Sequence, residues 1–176
     1  DYKDQRVEAL SLLKEKVSKS DPSVLFSSIS DLSKVISSAL PSDQLESFIT
    51  KLYDGLNDPH EPSASGSCVV LNSVIKSRGG EMHSLAEHMI LVLHGRIGEI
   101  SYPQTRTGTL RCVRTLAGHH LVTVIKALLE FPLPYDQTVR DCWGILAGEA
   151  TILSSVLDHL IEVLDKSLPY EEVKDN

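Results

Sequence analysis

The sequence predicts an all-α protein, a solenoid of antiparallel helix hairpins stacked side by side. Three observations carry this. Cys112 followed by Leu116-Ala117-Gly118 returns as Cys142 followed by Leu146-Ala147-Gly148, and Ser65-Gly66-Ser67 returns as Thr107-Gly108-Thr109. Apolar residues recur at helical spacing between turns rich in Pro or polar residues, the signature of a helical repeat array. Aromatic residues make up only 5% of the chain, so the core must be Leu, Val, Ile and Ala, which suits closely packed helix pairs. No strand-type alternation stands out.

The elements follow in order. Val7, Leu10, Leu13 (or Leu12) and Val17 mark a first helix over 4–18. Asp21-Pro22 starts a second, with Asp as N-cap and Pro at the first position. Leu25, Ile29, Leu32, Ile36 and Leu40 form its apolar stripe, opposite a serine-rich face (Ser27, Ser28, Ser30, Ser33, Ser37, Ser38) read as polar exterior. After Pro41-Ser42-Asp43, Leu45, Phe48, Ile49, Leu52, Tyr53 and Leu56 define a third helix. The turn Asn57-Asp58-Pro59-His60-Glu61-Pro62 leads into a helix over about 63–76, stopped by Arg78-Gly79-Gly80. Further helices are expected over about 83–98, 105–118, 120–131, 135–148 and 150–167, with an acidic tail from Pro169 to Asn176. Paired across their turns, these give hairpins at 4–40, 43–78, 83–118 and 120–148. Residues 150–167 are left as the first helix of a further pair. The stripe of that last helix (Ile152, Leu153, Val156, Leu157, Leu160, Ile161, Leu164) is wide for a cap, so residues 1–176 read as one repeat domain within a longer array.

Charge excludes some functions. The net charge is −7, against the strongly basic face of a nucleic-acid-binding domain. Residues 102–140 are the exception, carrying Arg106, Arg111, Arg114, Lys126 and Arg140 against Glu130 and Asp136. An acidic partner would be drawn there. No apolar run approaches the roughly 18 residues of a membrane span. Cys68, Cys112 and Cys142 lie within apolar helical runs without metal-ligand spacing, which reads as reduced intracellular thiols.

The hairpins resemble HEAT repeats. Thr138-Val139-Arg140-Asp141-Cys142-Trp143-Gly144-Ile145-Leu146-Ala147-Gly148 resembles the second helix of such a unit. More narrowly, Leu56-Asn57-Asp58-Pro59-His60-Glu61-Pro62-Ser63-Ala64-Ser65-Gly66 and Gly108-Thr109-Leu110-Arg111-Cys112 resemble the maestro-type HEAT-repeat family, over residues 45–165. The resemblance implies a very long solenoid acting as a protein-binding scaffold or adaptor without catalysis. A cytoplasmic setting is expected; the resemblance implies as the alternative a peripheral association with lysosomal or vacuolar membranes, for which the basic 102–140 stretch offers an attachment. HEAT repeats often join neighbours by a ladder of turn Asp and helix Arg. Arg140 fits the Arg position, but Leu110 and Cys68 occupy the equivalent places. The copies are offset by 42 residues from Gly66 to Gly108 and by 30 from Cys112 to Cys142, so the ladder should be irregular.

The second helices of HEAT-type stacks line the concave side. That makes Arg106, Arg111, Arg114 and Arg140 the partner-binding candidates, since guanidinium forks hold carboxylates and phosphates well. The competing reading is a solvated face or contacts between repeats. His119-His120 near Cys112 invite a thiol or metal site, but the helix dipole explains histidines at a helix end. His83 and His88 are five apart, and zinc peptidases need four. Trp143 reads as core, and Gly79-Gly80 and Gly66 lack phosphate-loop spacing. No catalytic residue, metal, cofactor or small-molecule substrate is expected; the partners expected are proteins, with an anionic membrane surface as the alternative.

Overall fold

The computed structural model describes residues 22–167, together with Gln5, Glu8, Ser11 and Leu12. Those four positions are helical and exposed, as far as the helix expected over 4–18 can be followed; its remaining residues, Asp21 and the acidic tail lie outside the described residues. Seven α-helices and no strand are present among the described residues. They are α1 (Pro22–Ala39), α2 (Leu45–Leu56), α3 (Glu61–Arg78), α4 (Ala86–Glu99), α5 (Pro103–Leu129), α6 (Gln137–Ala147) and α7 (Ala150–Ser167).

The second helices pack in sequence, α1 on α3, α3 on α5 and α5 on α6. The first helices α2 and α4 form the other layer, each also packed on its own hairpin partner. This is the two-layer solenoid expected from the repeated motifs. Sequence patterning explains the sides buried. Leu45, Ile49, Tyr53 and Leu56 fall on one stripe of α2 and are all buried. Ala86, Met89, Ile90, Leu93 and Ile97 do the same on α4. Each fully buried Leu or Ile contributes roughly 1.5–3 kcal/mol, and no hairpin could hide its stripe alone.

Four places bear comparison with the sequence reading; the first agrees with it and the other three depart from it. First, the two helices expected over about 105–118 and 120–131 are both present: α5 runs from Pro103 to Leu129 but is broken at His120, whose φ of −137° and ψ of 55° are not helical. His120 Nε2 bonds the Gly79 carbonyl at 2.6 Å, so His119 and His120 sit at the packed joint where one helical half ends and the next begins. Residues 121–129 then serve as a short first helix for the hairpin that α6 completes. A kink replaces a turn, which explains why the Cys112–Cys142 offset is so much shorter than its counterpart. Second, Gly79 ends α3 with φ −57°, not in the left-handed conformation of a glycine stop. A side chain there would collide with the His119 ring, so close packing requires the glycine. Third, the serine face of α1 is partly interior. Ser33 and Ser37 are buried, and their hydroxyls bond to the carbonyls of Ser30 and Ser33 at 2.7 and 2.5 Å. With their donors satisfied by the backbone, they pack as small residues. Fourth, Leu12, one alternative for the stripe of the 4–18 helix, is exposed.

Helix α5 has the length and hydropathy of a bilayer span. Its apolar residues Leu110, Val113, Leu116, Val124, Ile125 and Leu128 are buried within the stack, as in a core helix. At the other end, α7 buries Val156 but exposes Leu157, Ile161 and Leu164 by half or more.

Helices α3 and α5 meet closely at Gly108, where a Cβ would lie 2.6 Å from Cys68 Sγ. Gly108→Ala should therefore force α3 and α5 apart and cost about 1–3 kcal/mol. A Cβ at Gly95, also within a helix, meets nothing within 4 Å, so Gly95→Ala should stabilise by about 0.5–1 kcal/mol through helix propensity. Urea unfolding of both variants checks the pair; equal effects would contradict the packing.

Candidate functional site

The repeats are tied together by polar contacts between residues 35–44 apart. Arg96 Nη2 reaches Asp54 Oδ1 at 2.9 Å, and Asn57 Nδ2 donates to the Arg96 carbonyl at 3.2 Å. The Tyr102 hydroxyl donates to the Pro59 carbonyl. Thr115 Oγ1 donates to Asn72 Oδ1 at 2.7 Å. Arg78 donates to the carbonyls of Ser37 and Leu40 and is held by Glu81. That guanidinium and the Ser42 hydroxyl hold the Glu81 carboxyl down to about 2. Asp136 caps α6 by accepting from Val139 N at 2.8 Å and pairs with His94 Nε2 at 2.6 Å. The His94 ring packs on Phe131, with centroids 4.3 Å apart. The Val139 amide, then His94, lower the Asp136 carboxyl below the usual range.

This ladder decides the fate of the candidate arginines. Arg106 Nη2 pairs with Asp141 Oδ2 at 2.5 Å, joining α5 to α6. It is an inter-repeat strut. The pairing that the HEAT resemblance placed at Arg140 is thus made by Arg106 with the next residue, Asp141. Arg114 Nε pairs with Glu149 Oε2 at 3.3 Å. Arg140, exposed, bonds Gln137 on its own helix at 3.1 Å. Arg111 differs: it is exposed, and its guanidinium makes no hydrogen bond or ion pair among the described residues. The structure does not bring the four arginines into one cluster.

Arg111 forms part of the wall of a groove of about 600 Å³ between α3 and α5. Ser65, Cys68 and Asn72 contribute from α3, and Gln104, Thr107 and Arg111 from α5. The groove lies where the Ser65-Gly66-Ser67 and Thr107-Gly108-Thr109 copies face each other. Its polar donors and lone cation suit an anionic group. Sequence reading found Arg111 but missed Asn72, Gln104 and Thr107; the signal available was their position beside the duplicated glycine motif. No group of three or more metal-ligating side chains is assembled among the described residues. Trp143 packs partly buried against the core.

All three cysteines are free and buried. Their environments differ. Burial pushes the Cys142 thiol up to about 12. The Cys112 thiol is raised by its hydrogen bond to Cys68 and by burial, whereas Cys68 is lowered by that bond, by Thr109 and by the Arg111 charge.

The Arg106 guanidinium, with Gln137, holds Asp141 below the usual carboxylate range. A depressed carboxylate stabilises the fold above its ordinary value of about 4 and loses that contribution as pH falls through the depressed one. Asp141→Asn should therefore cost about 1 kcal/mol at pH 7, and the difference from the unaltered chain should close towards pH 2. Melting curves across that range check it; a gap that persists in acid would contradict an ionic strut.

Comparison with known proteins gives a consistent picture. The family model for Maestro HEAT repeats matches residues 1–157. The chain is 29% identical over 172 residues to Maestro heat-like repeat-containing protein family member 1 of Mus musculus, covering 98% of this chain and 10% of that protein. Identity to the Dictyostelium discoideum protein of the same name is 30% over 166 residues, covering 94% and 10%. The Caenorhabditis elegans homolog is 27% identical over 146 residues, covering 81% and 8%. The chain thus spans about a tenth of the length of these relatives. No solved structure matches it significantly. With its stacked hairpins, its inter-repeat ladder and a family match over most of its length, the chain belongs to the Maestro HEAT-repeat family.

Proposed function

We propose that this repeat scaffold is a non-catalytic binding module that holds a partner protein along its second helices, with the α3–α5 groove as the main contact. The observation that carries this is Arg111. The other arginines of α5 and α6 have acceptors within the chain, while Arg111 stands exposed beside an open groove. Its unsatisfied donors would engage a carboxylate or phosphate presented by the partner, with Asn72 and Gln104 completing the polar contacts. The surrounding net charge of −7 makes this cation selective, since acidic partners are repelled from other parts of the surface. Stacked repeats support such a role because they offer an extended surface held at fixed spacing.

The test is capture of partners from cell extract by the intact chain, by Arg111→Glu and by Arg140→Glu, each matched for helicity and melting. Charge reversal at Arg111 should weaken the main partner at least about tenfold, with Arg140→Glu close to the intact chain. Equal retention by all three would place the binding surface elsewhere.

A further inference from the structure

We propose that Cys68 is an oxidation site for hydroperoxides, with Cys112 as the thiol that captures the oxidised sulfur in a disulfide between α3 and α5. The inference shares the α3–α5 groove and Arg111 with the proposed partner contact but does not require a partner, and it starts from four facts of geometry. Cys68 lines the open groove, so a small oxidant has a route to its sulfur although the residue is only 5% exposed. Cys112, fully buried, lies across the helix interface, its Sγ 3.9 Å from the Cys68 carbonyl oxygen. The helices pack tightly here, since a Cβ at Gly108 on α5 would lie 2.6 Å from Cys68 Sγ. The unpaired Arg111 stands on the same groove wall.

The hydrogen bonds around Cys68 suit a thiolate. As a thiol it donates to the Thr105 carbonyl at 3.8 Å, while Thr109 Oγ1 donates to that same carbonyl at 2.8 Å. Thr109 Oγ1 also lies 3.7 Å from Cys68 Sγ. Once the sulfur loses its proton, the Thr109 hydroxyl can rotate onto it, the Cys112 thiol donates to it, and Arg111 supplies positive charge. These are the features that make a thiol reactive, and they lower Cys68 relative to an ordinary thiol. Cys142 has no such setting and is held protonated by burial.

The chemistry balances with a hydroperoxide as oxidant. The Cys68 thiolate attacks one peroxide oxygen, forming an S–O bond and breaking the O–O bond. Sulfur loses two electrons, the peroxide gains them, and the departing oxygen takes up a proton. The Cys112 sulfur then attacks the Cys68 sulfenic acid. An S–S bond forms, the S–O bond breaks, and hydroxide leaves with the Cys112 proton as water.

The experiment treats the folded, reduced chain with one equivalent of hydrogen peroxide in the presence of dimedone, then blocks free thiols and maps peptides without reduction. In the unaltered chain the expected product is a Cys68–Cys112 linked peptide. In Cys112→Ser it is a dimedone adduct on Cys68. In both, Cys142 should react at least about tenfold more slowly. Oxidation of Cys142 as fast as Cys68, or the lack of a Cys68–Cys112 link in the unaltered chain, would overturn the proposal. If Cys112→Ser does not fold, the unaltered chain alone decides, through the linked peptide and the Cys142 comparison.

Discussion

Close approach of consecutive second helices is the constraint on which the structure depends. At Gly108 the α3–α5 separation leaves no room for a Cβ against Cys68. Ser33 and Ser37 allow α1 to meet α3, with Ser37 and Ser73 hydroxyls 3.3 Å apart. At this spacing main-chain carbonyls of one repeat come within reach of side chains from the next. That reach is what lets Arg78, Asn57, Tyr102 and His120 bond to backbone of a neighbouring unit. It also sets Cys112 against Cys68, and it leaves the groove where the small residues give the helices no bulk to fill the space between them.

The polar ladder and the apolar core divide the work. Burial of Leu, Ile and Val supplies most of the favourable free energy but is indifferent to register. The ladder adds little to stability pair by pair, since its ion pairs are partly exposed. It fixes which turn of one helix faces which turn of the next. Asp136 shows both roles: it caps α6 through Val139 and docks that cap onto His94 of α4.

Much of this was legible in the sequence. Apolar periodicity located the helices from α1 to α7, and the duplicated motifs announced a helical repeat stack. What could not be read was decided by contacts distant in the chain. Leu116-Ala117-Gly118 has the form of a helix stop and the helix does break just after it, at His120; that the next helix follows without a turn depends on Val124, Ile125 and Leu128 packing into the stack and on His120 bonding Gly79. Serine hydroxyls look polar in a sequence, but bonded to their own helix backbone they count as small packing residues. Arg106, Arg111 and Arg114 are equivalent on a helical wheel. Only the placement of Asp141 and Glu149 separates the two used within the fold from the one left for a ligand.

Through this close interface α3 and α5 form one cooperative unit, with stability falling towards α7. Native-state hydrogen exchange at increasing denaturant tests it most directly. The middle amides of α3 and α5 should share one opening free energy, the highest among the described helices, and α7 should open well below it. Separate opening of α3 and α5, or an α7 as protected as either, would contradict it.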